Sequence, residues 1–264
     1  LAPADGYIVA IQHRVKNIGD PKAPKGDPDQ YRVMFEHSGT FWTYIDLVDR
    51  LDSSVLAAVG GSVPGGPTVL LRHPVKAGQV IGVMGGSHGL DFGVVNSEVT
   101  LGGFVVPSHY DPEPWKIHTV DPFDYFDDPL KTRLMALNPR KTPPYGGKID
   151  YDIRGRLIGN WFKEGHNGFG SSRSGHPWKA HLAIVPHHID PSMIIISIGD
   201  FGGQVGQFGV KGNAPDPASV SESTGPVKYG LTMIMRPSSA APFDHSPDEE
   251  LGVLLVEVLA NDKL

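Results

Sequence analysis

Arg32-Val33-Met34-Phe35-Glu36-His37-Ser38-Gly39 runs on toward Thr43-Tyr44-Ile45-Asp46-Leu47. β-branched and aromatic residues recur in both runs, Val33 and Phe35 in the first and Thr43, Tyr44 and Ile45 in the second, and a glycine separates them, so the spacing predicts strands over 32–37 and 41–47. Working outward, Tyr7 to Val15 is another β-branched run, followed by a Pro/Gly/Asp/Lys segment, Asn17 to Gln30, that reads as an exposed hairpin loop. Downstream, Val55–Val59, Thr68–Arg72 and Gln79–Met84 are further short runs bounded by Gly and Pro. Turns at this spacing predict an all-β barrel or sandwich. Asp46–Ala58 can begin as a helical turn, and no long amphipathic helix is expected before residue 120.

The chain has 264 residues, 33 of them Gly and 24 Pro, a usage that favours many short strands over long helices. A net charge of −6 without a basic stripe argues against nucleic acid as a partner. Cysteine is absent, so disulfides and thiolate metal sites are excluded. No apolar run approaches the ~20 residues of a membrane-spanning helix. The first residue is Leu, so a processed product is expected, with any signal peptide upstream.

Four segments, in order, resemble the lysostaphin-type (LytM-like) zinc-endopeptidase barrel. They are Ala2 to Val9, Arg32 to Gly39 with Thr43 to Leu47, Val75 to Gly82, and Gly89-Leu90-Asp91-Phe92-Gly93-Val94. His118-Thr119-Val120-Asp121-Pro122-Phe123-Asp124-Tyr125 is similar to the Val-Asp-Pro-x-x-Tyr segment that closes that barrel. The family has Tyr-x-His-Leu where this chain has Tyr44-Ile45-Asp46-Leu47, and His-Leu-His-Phe where it has Gly89-Leu90-Asp91-Phe92. By the resemblance, Asp91 stands at a zinc ligand, Gly89 and Asp46 stand at the two assisting histidines, and His37 is structural. A hydrolytic zinc needs three protein ligands, an open position and a base. The matching positions do not supply them. The resemblance therefore implies a scaffold or regulator of the cell envelope, extracellular or periplasmic, with a glycopolymer or envelope protein as partner. No cofactor is expected.

The alternative is a hydrolase. Gly85-Gly86-Ser87-His88-Gly89 matches the Gly-x-Ser-x-Gly element of serine esterases, with Ser87 as nucleophile and His88 beside it. That chemistry needs a strand-to-helix elbow, and Leu90 to Val95 reads as a strand, so a Gly-rich turn is the preferred reading. A metallopeptidase with unusual ligands would draw on Asp46, His88 and Asp91 for zinc or another divalent cation.

Pro129–Leu137 is the best helix candidate, with Asp127 or Asp128 as cap. Domains are expected at 1–126 and 148–264, with the helix and a Pro/Gly linker over 127–147. The second domain is expected to be an antiparallel barrel with strands within 148–162, 180–185, 193–199, 207–211, 228–235 and 251–259. Gly159-Asn160-Trp161 resembles the Gly-x-Trp signature of calycin/lipocalin-like barrels. His181, His187 and His188 lie along one segment, and on a strand the first two would be ~20 Å apart, too far to share a metal. Aromatics beside polar residues, Trp115, Phe169 and Trp178, suit either sugar or protein contacts or gap filling.

Overall fold

The computed structural model describes residues 1–14, 30–84, 89–166, 168, 180–199, 205–234 and 249–260. Two units result from the pattern of internal contacts: 1–99 with 118–122, and 100–117 with 123–264. Residues 100–117, expected in the first domain, thus cluster with the second.

In the first unit, β1 (Gly6–Arg14), β2 (Gln30–Glu36) and β3 (Phe41–Val48) form where the alternating runs predict. β4 (Arg50–Leu51) pairs with β6 (Gly82–Val83), while β5 (Thr68–Val75), β7 (Asp91–Asn96) and β8 (Thr119–Val120) complete an antiparallel sheet of order β5-β1-β2-β3-β7-β8. Period two places Val33 and Phe35 of β2 in the core with Ile8, Ile11, Ile45 and Val75. A register shift between Ile8 and Ala10 explains why the spacing from Ile8 to Ile11 is odd.

The strand expected at Val55–Val59 is instead α1 (Ser53–Ala58). Asp52 caps it, accepting the Ser54 amide at 2.9 Å, and Val55 is the side chain it buries. An Asp-Ser-Ser start followed by Leu-Ala-Ala is helix chemistry, and the cap outweighs the β-propensity of one valine. The strand expected over 79–84 shrinks to Gly82–Val83. A Cβ at Gly82 would lie 2.6 Å from the Arg50 carbonyl oxygen, so this short ladder runs too close for a side chain.

The second unit holds α2 (Leu130–Leu137), with Pro129 in the N-cap position and the Asp128 carboxylate accepting the Thr132 amide and hydroxyl. Its sheet is β9 (Gly159–Phe162), β10 (His181–Pro186), β11 (Ile194–Ile198), β12 (Gly206–Val210), β13 (Val227–Met233) and β14 (Gly252–Val256). Each strand pairs antiparallel with the next in chain order, an up-and-down meander. Leu157, Ile184, Ile196, Val220 and Tyr229 form the fully buried centre of its core. The long first strand expected from residue 148 begins only at Gly159. Residues 148–158 are spent on carboxylate-centred turns, which bear on the site below. Among the described residues the molecule is mostly β, with two short α-helices and a few 3-10 turns, and no helix there is long and apolar enough to cross a membrane.

Candidate functional site

Two of the acidic residues singled out in the sequence, Asp46 and Asp91, come together. Asp46 on β3 lies directly opposite Asp91 on β7, and Tyr44 lies opposite Gly93. Tyr44 packs its ring over Gly93, where a Cβ would sit 2.1 Å from ring carbon Cε1. Between β2 and β3 the register slips, since Tyr31 faces Val48 while Val33 faces Ile45. Arg32 therefore meets two residues of β3, Asp46 and Leu47, and Leu47 takes a left-handed φ of 66°. That bulge sets the next contact.

Asp46 is 1% exposed. Its Oδ2 accepts from Arg32 Nε at 3.0 Å and Arg32 Nη2 at 2.8 Å, and lies 3.0 Å from Arg14 Nη1. Its Oδ1 accepts the Leu47 amide. Arg32 also lies over the Tyr44 ring. A carboxylate holding two guanidinium groups has no free charge for a cation, and both arginines would repel one. Asp91 is exposed and Gly89 has no side chain. Asp46 and Asp91 are neighbours, but Asp46 is committed elsewhere, and the third expected ligand, His88, lies outside the described residues together with Ser87. Of the three residues, Asp46 is thus spent on its arginines. Among the described residues no group of three or more His, Asp or Glu side chains could hold a metal ion.

His37 occupies its expected structural place. Its Nδ1 donates to the Asp5 carbonyl and its Nε2 meets the Thr43 hydroxyl, both at 2.8 Å. His187 and His188 likewise belong to a turn: His187 Nδ1 accepts the amides of Ile189 and Asp190, and the buried Arg140 donates to the His188 carbonyl.

A second cluster, in the second unit, was not legible in the sequence. The carboxylate of Asp152 accepts the Asn160 amide at 2.8 Å and Asn160 Nδ2 at 3.0 Å on Oδ1, and the Val105 amide at 3.2 Å on Oδ2. Because Asn160 Nδ2 faces a carboxylate, its Oδ1 is the acceptor toward His181, whose Nε2 donates at 3.0 Å. The chain Asp152–Asn160–His181 is thus a directed string of hydrogen bonds. Phe162 stacks on His181 at 5.0 Å and meets His109 edge-on at 4.8 Å.

Glycines make the approach possible. A Cβ at Gly159 would lie 2.5 Å from Asp152 Oδ1, and one at Gly103 would lie 1.9 Å from the Asp150 carbonyl oxygen. Gly103 ties both acidic residues, donating to Asp150 Oδ2 and accepting from the Asp152 amide. Gly103→Ala should destabilise the second unit by about 1–3 kcal/mol, because backbone rather than a flexible side chain must give way. Urea unfolding checks this, and an unchanged midpoint would show that the segment yields freely.

Beside this string is a cavity of about 100 Å³, lined among others by Val105, His109, Asp152, Arg156, Asn160 and Phe162. Burial pushes the Asp152 carboxyl up, against the pull of the amides it accepts, and nearby Asp150 adds to the rise. Burial pushes His109 down, and pushes His181 down to about 4 with the Lys116 cation adding to the effect. Trp161, read as a barrel signature, donates its indole N–H to the Leu157 carbonyl at 2.8 Å and also lines the cavity. The sequence does not single out Asp152, His109 and Asn160, because the alternation of Ile149, Tyr151 and Ile153 reads as a strand and two of the contacts that build the cluster, Val105 to Asp152 and His181 to Asn160, join residues 47 and 21 positions apart.

Comparison with known proteins returns no match: no family model, no curated protein and no solved structure corresponds to this chain.

Proposed function

We propose that this chain is a non-catalytic binding module of the cell envelope, extracellular or periplasmic, built on a peptidase-like β-barrel that has lost its catalytic histidines. The observation that carries the reading is the Asp46 carboxylate held between Arg32 and Arg14, at the place where the Tyr-x-His-Leu pattern has its histidine. An acidic residue tied to two permanent cations is a poor base for water, and it turns the position from a chemical one into a structural one. The partner class is an envelope glycopolymer or an envelope protein. In this reading the first domain is a scaffold and the second, of calycin-like character, presents the further surface.

The test is co-sedimentation of the purified chain with insoluble peptidoglycan, together with assays for released fragments and ester turnover. The expected result is saturable retention without fragment release, unchanged by added zinc or by a chelator. Chelator-sensitive release with about one ion per chain would replace the reading with a metallopeptidase. Metal-independent ester turnover that disappears in Ser87→Ala would replace it with an esterase.

A further inference from the structure

Asp152 and Arg156 line the same cavity, are both part-buried, and do not pair with each other. Among the described residues the donors to Asp152 are all neutral, the amides of Val105 and Asn160 and the Asn160 side chain. Its neighbour Asp150 has its own cation, Lys148. Among the described residues the Arg156 guanidinium makes one hydrogen bond, from Nη1 to the Ser219 carbonyl at 3.1 Å, and its other donors are open to a ligand. Opposite charges that line one cavity without meeting are an arrangement suited to a ligand carrying both complementary charges. Val105, Val106, Ile153, Ile158 and Phe162 add apolar walls, beside His109, Asn160 and Trp161.

Size narrows the class. A cavity of about 100 Å³ falls well below the range that encloses a drug-sized molecule or a sugar chain. It suits roughly half a dozen heavy atoms, a few waters' worth of space.

We propose that this cavity binds a small free α-amino acid of about the size of alanine, its ammonium on Asp152, its carboxylate on Arg156, and its short side chain against the valine and isoleucine walls. The Asp152–Asn160–His181 string holds the carboxylate in place, since Asn160 is anchored at both ends of its amide. Gly159 and Gly103 permit the close approaches that place Asp152 and its neighbour Asp150. The proposal concerns the second unit's own cavity and stands whether or not the chain binds an envelope polymer.

Calorimetric titration of the full chain with glycine, L-alanine and D-alanine tests it, with propionate and ethylamine as single-charge controls and leucine as a size control. At least one alanine enantiomer should bind, and propionate, ethylamine and leucine should bind about ten-fold more weakly or worse, as expected when one charge-assisted contact or the fit is lost. Arg156→Met, whose native bond is a single carbonyl contact, should fold normally and lose about ten-fold or more in alanine affinity. Asp152→Asn should do the same. If it fails to fold, because Asp152 anchors Val105 and Asn160, Arg156→Met decides alone. The proposal is overturned if no amino acid binds the wild-type chain, if propionate or ethylamine binds as tightly as alanine, or if folded Arg156→Met keeps its affinity.

Discussion

Asp46→Ala will destabilise the first unit by about 3–5 kcal/mol, the cost of leaving a buried charge without its partner. The group that loses its carboxylate is Arg32, whose side chain is 14% exposed and which gives two of its N–H bonds to Asp46. Arg32→Met will cost a similar amount from the other side, since Asp46 would keep Arg14 as its one cation beside the Leu47 amide. Arg14 is 38% exposed, so Arg14→Met is expected to cost about 1 kcal/mol or less. The double variant Asp46→Leu with Arg32→Met should recover much of the loss, because replacing both members of a buried pair by apolar groups is often close to neutral. Urea unfolding, followed by Trp42 in the first unit, measures all four. The losses should be the same with and without a chelator, since guanidinium groups and not a metal neutralise Asp46. A change below about 0.5 kcal/mol in Asp46→Ala would place the arginines in solvent and remove the observation on which the binding-module reading rests.

The second unit will lose stability on mild acidification. His181 is held down to about 4, chiefly by burial, against an ordinary value of 6.5. Between these values the unfolded chain binds more protons than the folded one, so stability rises with pH across the window. The contribution is complete above about pH 6.5 and is lost as pH falls toward 4, about 2 kcal/mol by pH 5 and roughly 3 kcal/mol in all. His109, pushed down by burial, acts in the same direction. Asp152 opposes it: a carboxyl pushed up by burial favours the folded state as pH falls through its folded value. Urea unfolding of a Trp42→Phe variant, in which the remaining tryptophans belong to the second unit, should show a lower midpoint at pH 5 than at pH 7.5. His181→Gln can still reach Asn160 but does not titrate, and should flatten most of that dependence. An equal pH response in the two proteins would mean that His181 is solvated.

Some of this organisation was open to reading and some was not, and the division follows the range of the forces involved. Arg32 to Glu36 and Phe41 to Val48 announce themselves as strands because alternation along a strand is a property of neighbouring residues. Helix α2 was legible for the same reason, from a proline and an aspartate at its start. Val55–Val59 misled because strand propensity was weighed without the Asp52 cap two residues upstream of Ser54. The start of β9 was placed too early because Ile149, Tyr151 and Ile153 look strand-like, while Asp150 and Asp152 between them are bound to Gly103 and Val105.

The acidic residues Asp46 and Asp91, and the absence of thiolate chemistry, could be read from the residues themselves. What Asp46 pairs with was decided by tertiary structure. Arg32 reaches Asp46 only because the β2–β3 register slips at Leu47, and Arg14 joins only because β1 lies beside β2. Asp152, Asn160 and His181 form one string only because β9 pairs with β10 and the segment at Val105 folds onto Asp152. Strand periodicity is encoded within a few residues, but the partner of a buried charge depends on register, bulges and glycine contacts between segments far apart in the chain. Desolvation then fixes the electrostatics of each group, and it exists only once those segments have closed over it.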